Sequence, residues 1–227
     1  MVIPGADTVA NSQCSISGTG SSVSGSGNTL TLTLVITFKA AFAGNRVLYL
    51  SAQDVANNNS GWFDLGTWNV PGSTPAGTSV TGMLPSRSDG SGQTYTFNFA
   101  DSNGFADIGV INILINSAID GRQACFIAFV PASATSGSLF LVDDAGDAGG
   151  PFAGGINLPS NGTASNSRCT INGAGSSVTA SGNAMTLKLA ISFTPLFNGN
   201  QVFFLAARND AAHENSDWQP VGSVTIH

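Results

Sequence analysis

The chain has 227 residues, only 9% of them charged, and a formal net charge of −6. Contacts to phosphate need clustered basic side chains, whereas Lys39, Arg46, Arg87, Arg122, Arg168, Lys188 and Arg208 stand singly, so no nucleic acid or anionic membrane surface is expected as a partner. A hydrophobic content of 42% separates the chain from disordered low-complexity sequence despite its 28 glycines. No apolar run approaches the ~18 residues of a spanning helix, so no membrane insertion is expected.

At the N-terminus, "MVIPGADTVA" has neither the basic start nor the apolar core of a signal peptide, so the signal of a secreted parent would lie upstream. From Asn11 runs "NSQCSISGTGSSVSGSGNTLTLTL", and nearly the same passage, "NSRCTINGAGSSVTASGNAMTLKL", returns from Asn166. An offset of 155 holds without a gap from Asn11 to Leu50, and 22 of those 40 positions are identical, which marks a long internal repeat. In the first copy Leu30, Leu32, Leu34, Ile36 and Phe38 alternate with Thr29, Thr31 and Thr33. In the second, Leu187, Leu189, Ile191 and Phe193 repeat the pattern. A period of two with β-branched polar partners predicts a strand with one buried face. "RVLYL" and "QVFFL" predict the next strand in each copy. Residues 53 to 61 then read as a loop, one residue longer in the second copy, and "GTWNV" and "GSVTI" as a closing strand.

Between the copies, "PGSTPAGTSVTGMLPSRSDGSGQ" is punctuated by Pro and Gly and predicts a linker over 71–93. "TYTFNF", "IGVINILI", "ACFIAFV" and "SLFLV" follow as further strands, and no helical period of useful length occurs. The expected fold class is all-β, an antiparallel β-sandwich. With the first copy called A, the intervening strands B and the second copy A′, a period equal to A plus B means that a complete unit needs one of each. The chain then holds a half repeat over 1–70 and a complete sandwich repeat, B plus A′, over 94–227.

The three cysteines fall one per segment. Joining B to A′ gives a Cys125–Cys169 disulfide and leaves Cys14 without its partner, which accounts for the odd count. Joining B to A instead would give Cys14–Cys125, and three free thiols in a reducing compartment are the other arrangement. The favoured bond would contribute about 4 kcal/mol in the chain-entropy description. The apolar face of A must then be covered elsewhere, by folding over B–A′ or by the same segment of a second chain. A homodimer through the half repeat is the expectation.

Taken together, "YTFNFADSNGFADIGVINILIN", "ACFIAF", "LFLVDDAG" and the A′ passage through "FNGNQVFFLAA" resemble long-period Ig-like repeats of large secreted or surface, adhesin-like bacterial proteins. The resemblance covers nearly the whole chain. It implies an extracellular Ig-like β-sandwich that serves as spacer or adhesive module, and it carries no catalytic residues.

Among candidate sites, Asp101, Asn103 and Asp107 in "DSNGFAD" set oxygen ligands close together in one turn, as calcium requires. The turn is no EF-hand, since Gly104 comes too early, and an Asx-turn that sets the chain reversal is the simpler account. Asp143, Asp144 and Asp147 form a second acidic loop. Alternating strand direction in a meander places it at the opposite end of the sandwich, beyond the ~5–10 Å of a paired-carboxylate glycosidase, whereas a Greek-key crossing would bring the two acidic loops together. Asp210, His213 and Glu214 form a polar loop with the composition of a transition-metal or general-base site, although a solvated loop accounts for it equally. Trp62 and Trp218 recur in register beside loop tips, where they would either stack on a glycan or plug the core. The function expected is a non-enzymatic structural or adhesive module, with a glycan or another surface protein as partner and calcium as the one candidate cofactor. A carbohydrate- or ligand-binding module is the first alternative and a metal-assisted hydrolase the second.

Overall fold

The computed structural model describes residues 1–72, 77–211 and 214–227, so His213 lies outside the described residues. The chain divides into two compact units. One holds Met1–Gly44 with residues 69–72, and the other holds Asn45–Trp68 and the described residues from Gly77 to His227.

In the first unit β1 (Thr8–Ala10), β2 (Cys14–Ser26) and β3 (Thr29–Phe38) form an antiparallel sheet in that order. β2 and β3 meet at the two-residue turn Gly27–Asn28, where Gly27, at φ +57°, takes a left-handed conformation that side chains resist. The pairing register shifts between Ser17 and Ser22. There the Ser21 hydroxyl donates to the Ser17 carbonyl and accepts the Val35 amide at 2.9 Å, so a side chain satisfies backbone groups that the bulge leaves over. The leucines of β3 are largely bare, with Leu30 75% and Leu32 53% exposed. β4 (Gly44–Leu50) and β5 (Phe63–Val70) pair as a separate two-stranded ribbon.

The second unit is a sandwich. Its strands are β6 (Ser79–Leu84), β7 (Arg87–Asp89), β8 (Gly92–Ala100), β9 (Ile108–Asn116), β10 (Cys125–Ser133), β11 (Ser136–Val142), β12 (Phe152–Leu158), β13 (Thr163–Ser165), β14 (Cys169–Ser181), β15 (Ala184–Phe193), β16 (Gly199–Asn209) and β17 (Gln219–Ile226). One sheet runs β12-β11-β10-β9-β16-β17-β7, the other β13-β14-β15-β8-β6. The pairings are antiparallel except for β7 on β17. Each sheet is therefore part B and part A′. B supplies β8 to one and β9–β11 to the other, and A′ sends β14–β15 to the first and β16–β17 to the second. Neither segment could bury its apolar face without the other.

Register then stacks the core in rows. Leu205, Ile113, Ile127 and Leu141 lie side by side across one sheet, as do Phe203, Ile115 and Cys125. They face Tyr95, Phe97 and Phe99 of β8 and Met185, Leu187, Leu189 and Ile191 of β15, all fully or almost fully buried. The Tyr95 and Phe203 rings meet across the interface at 4.7 Å. Each such side chain contributes roughly 1.5–3 kcal/mol relative to exposure, so this alternation dominates the stability of the unit.

Two boundaries differ from expectation. The stretch 71–93 is not simply a linker: β6 pairs with β8 and β7 with β17, so each closes one edge of the sandwich. Its pattern is obscured because the β6–β8 register shifts at Gly82, which breaks the period of two between Val80 and Met83. Nor do residues 1–70 behave as one body, because 45–68 belong to the second unit. The outer face of the seven-stranded sheet carries its own apolar cluster, Leu114, Phe126, Val202 and Phe204, and Val47 of β4 packs on it. Among the described residues no helix is long and apolar enough to cross a membrane.

Candidate functional site

The chain crosses from one sheet to the other between β8 and β9, and the acidic turn 101–107 makes that crossing. Asp101 is 1% exposed; its Oδ2 accepts from the Thr78 hydroxyl and its Oδ1 accepts the Asn103 amide at 2.8 Å. The Asn103 side-chain amide donates to Asp107 Oδ2 at 3.1 Å, and Asp107 closes a single 3-10 turn over Phe105–Asp107. The Asx-turn is thus present, and it holds the crossing.

A third carboxylate joins it. β9 pairs with β16 so that Ile108 lies opposite Asn209, which brings the loop after β16 to the same corner. The Asp210 amide donates to the Asp107 carbonyl at 2.9 Å, and Glu214 is held by hydrogen bonds in both directions with Asn209. One carboxylate oxygen from each of Asp101, Asp107 and Glu214 lies within 4.8 Å of the others. Glu214 Oε2 is buried without a hydrogen-bond partner. Gly77 sits against this carboxylate at φ +71°, where a side chain would collide with it. Three carboxylates this close repel one another unless a proton or cation lies between them. The three carboxylates offer oxygen donors of the kind a hard cation takes, while the Asn103 side chain turns its Nδ2 donor to Asp107.

Of the second polar loop, then, Glu214 belongs to the Asp101 corner, while Asp210 reaches it through its backbone. The fragments "DSNGFAD" and "HENSDW" are a hundred residues apart, and the neighbourhood of β9 and β16 that joins them carries no local sequence signal. Asp143, Asp144 and Asp147 lie at the opposite end of the sheet, as strand direction requires. Asp144 Oδ1 accepts the Ser167 hydroxyl at 2.9 Å, and Asp143 and Asp147 each accept a backbone amide two residues on. No carboxylate pair forms between the two ends.

Cys125 and Cys169 are bonded and fully buried, and they tie one sheet to the other across the core. Asn166 positions the strand that carries Cys169. Its Oδ1 accepts the amides of Arg168 and Cys169 at 2.9 and 3.0 Å, while its Nδ2 donates to the carbonyls of Ala124 and Val142 at 2.9 and 3.1 Å. Asn11 Oδ1 accepts the amides of Gln13 and Cys14 in the same way, and Cys14 is a free thiol.

The tryptophans divide. Trp62 is 75% and Trp68 54% exposed, whereas Trp218 is half-buried, set edge-on to Phe126 at 5.9 Å. Of the two residues that recur in register, Trp62 is thus the exposed one and Trp218 packs on the apolar cluster around Phe126. Beside Trp218 a depression of about 110 Å³ is lined by Asn112, Ala206, Arg208, Asn215 and Asp217, well short of the ~300–1,000 Å³ of enclosed small-molecule sites. An open groove of about 380 Å³ along β11 and β12, with Phe140 and Phe152 in contact at 5.0 Å, was not marked by any sequence motif. Asp64 on β5 is 6% exposed with Oδ2 unpartnered, and burial pushes its carboxyl up to about 6.

Comparison with protein-family models, curated proteins and solved structures finds no match to this chain.

Proposed function

We propose that the chain is a structural and adhesive repeat module of a larger extracellular protein, in which Ig-like sandwiches follow one another at a spacing of one A and one B. The carrying observation is that the same hairpin is built twice, and that the copy beside B is closed by a buried disulfide between the two sheets. Disulfides persist in oxidising compartments, which favours the outside of the cell. A scarcity of charge and a surface polarity made of hydroxyls and amides suit a module whose task is to hold distance and shape. Antibody raised against the chain should label intact source cells, and brief protease treatment of those cells should remove the label. A signal that appears only after lysis would overturn the reading.

Calcium at Asp101, Asp107 and Glu214 is part of this proposal. It is supported by the convergence of the three carboxylates at a sheet-to-sheet crossing, where a bound ion would stiffen the module. A glycan-binding role is the second reading, supported by the exposed indoles of Trp62 and Trp68.

A further inference from the structure

The two copies of the hairpin can be compared position by position. β2–β3 and β14–β15 pair in the same register from Cys14↔Phe38 and Cys169↔Phe193 to Ser26↔Thr29 and Ser181↔Ala184, with the register shift at equivalent places. The bulge serine recurs too: Ser176 donates to the Asn172 carbonyl at 2.6 Å and accepts the Ala190 amide at 3.0 Å, as Ser21 does in the first copy. What differs is the neighbour. β15 lies between β14 and β8, whereas β3 ends its sheet. Met185, Leu187 and Ile191 are 1%, 0% and 1% exposed, and their equivalents Leu30, Leu32 and Ile36 are 75%, 53% and 40% exposed. The first hairpin already has the shape that receives β8, with its receiving edge open.

We propose that β3 and its apolar face form a docking surface for a B-type segment: a polypeptide that opens with the Tyr-x-Phe-x-Phe pattern of β8 and continues into a cysteine-bearing strand that reaches Cys14. The inference rests on the repeat reading above and names the partner that reading requires. In the closed sandwich Phe99, Phe97 and Tyr95 stand opposite Met185, Leu187 and Leu189. At the same offset an incoming strand sets its aromatics opposite Leu30, Leu32 and Leu34, with main-chain hydrogen bonds along the whole edge. Neither Gly92–Ala100 nor Thr29–Phe38 holds a charged residue, so no repulsion opposes the pairing. A second copy of this chain fits less well. Its β8 is already held between β15 and β6, and a β3–β3 pair would extend the sheet without laying another sheet over the leucines.

The test joins a second B to the full chain. Residues 77–155 are fused ahead of Met1, so that the added B runs into A as the native B runs into A′, with the exposed Thr135→Ser in the added copy as a mass tag. Refolding uses an oxidised and reduced glutathione couple, which takes up the two electrons and two protons released when two thiols form a disulfide. Peptide mapping without reductant should find the tagged Cys125 bonded to Cys14 and the native Cys125–Cys169 bond retained. Amide exchange over residues 29–38 should slow by ~100-fold or more. A free Cys14 with fast exchange at 29–38 beside an intact native bond overturns the proposal, and so does a Cys14–Cys14 dimer, which gives the face to a second copy. If the native bond is itself lost, a synthetic peptide of residues 90–102 added to the unmodified chain decides. Protection at 29–38 is expected with that peptide and not with its Phe97→Asp, Phe99→Asp form; protection by neither overturns the proposal. Cell-surface labelling is independent of each of these outcomes, so failure here and failure of the extracellular reading are separable.

Discussion

Asp64 shows what burial does to one side chain in this fold. Its carboxyl titrates near 3.8 when solvated and at about 6 in the folded chain, because burial disfavours the charge. Between those values the folded state binds more protons than the unfolded one. The stability tied to this group is therefore complete below about pH 4 and is lost as pH rises through 6. Asp64→Asn imitates the neutral form, so its Tm should equal that of the wild type near pH 4 and exceed it at pH 7. Identical curves at both values would show a solvated carboxylate. At the acidic corner the test is a chelator: EDTA should lower the Tm, and Asp101→Ala should remove that response. The same substitution strips partners from the Thr78 hydroxyl and the Asn103 amide, so it also costs about 1–3 kcal/mol with no metal present. A chelator-insensitive wild type would leave Asp101 with its turn-forming role alone.

Among elements, β3 and β15 make a matched pair in which sequence and register are held and only the covering differs. Leu187→Ala should destabilise by about 2–5 kcal/mol, since it empties a filled core position. Leu32→Ala, at the equivalent place, should stay within about 0.5 kcal/mol. Equal losses in denaturant melts would mean that β3 is covered in solution. The pair also explains what was legible beforehand. Strict alternation over Leu30–Phe38 and Tyr95–Phe99 made those strands visible, and the gap-free offset foretold two hairpins of the same register. β6 was hidden by its bulge at Gly82, and β12, "FAGGINL", by two glycines where alternation needs side chains. The Asp101 turn could be read as a polar constellation, whereas Glu214 could not be added to it. Which strands become neighbours across a sheet is decided by packing over the whole sandwich, and β9 beside β16 follows from no local pattern.

For the whole molecule the decisive covalent link is Cys125–Cys169, because it fastens a B strand in one sheet to an A′ strand in the other. Replacing both cysteines by serine should lower the stability of the second unit by about 4 kcal/mol in the chain-entropy description. Cys14→Ser should leave the denaturation midpoint unchanged, and a comparable loss there would show that Cys14 has a partner after all. The matched register of the two hairpins also reaches beyond the folded state, to the gene that encodes them. Unequal exchange between the two copies, aligned at their gap-free stretch, adds or removes a single A and a single B in frame. In the array proposed above, each such event adds one A and one B, with the new junction falling inside a stretch whose hairpin pairing is the same in both copies.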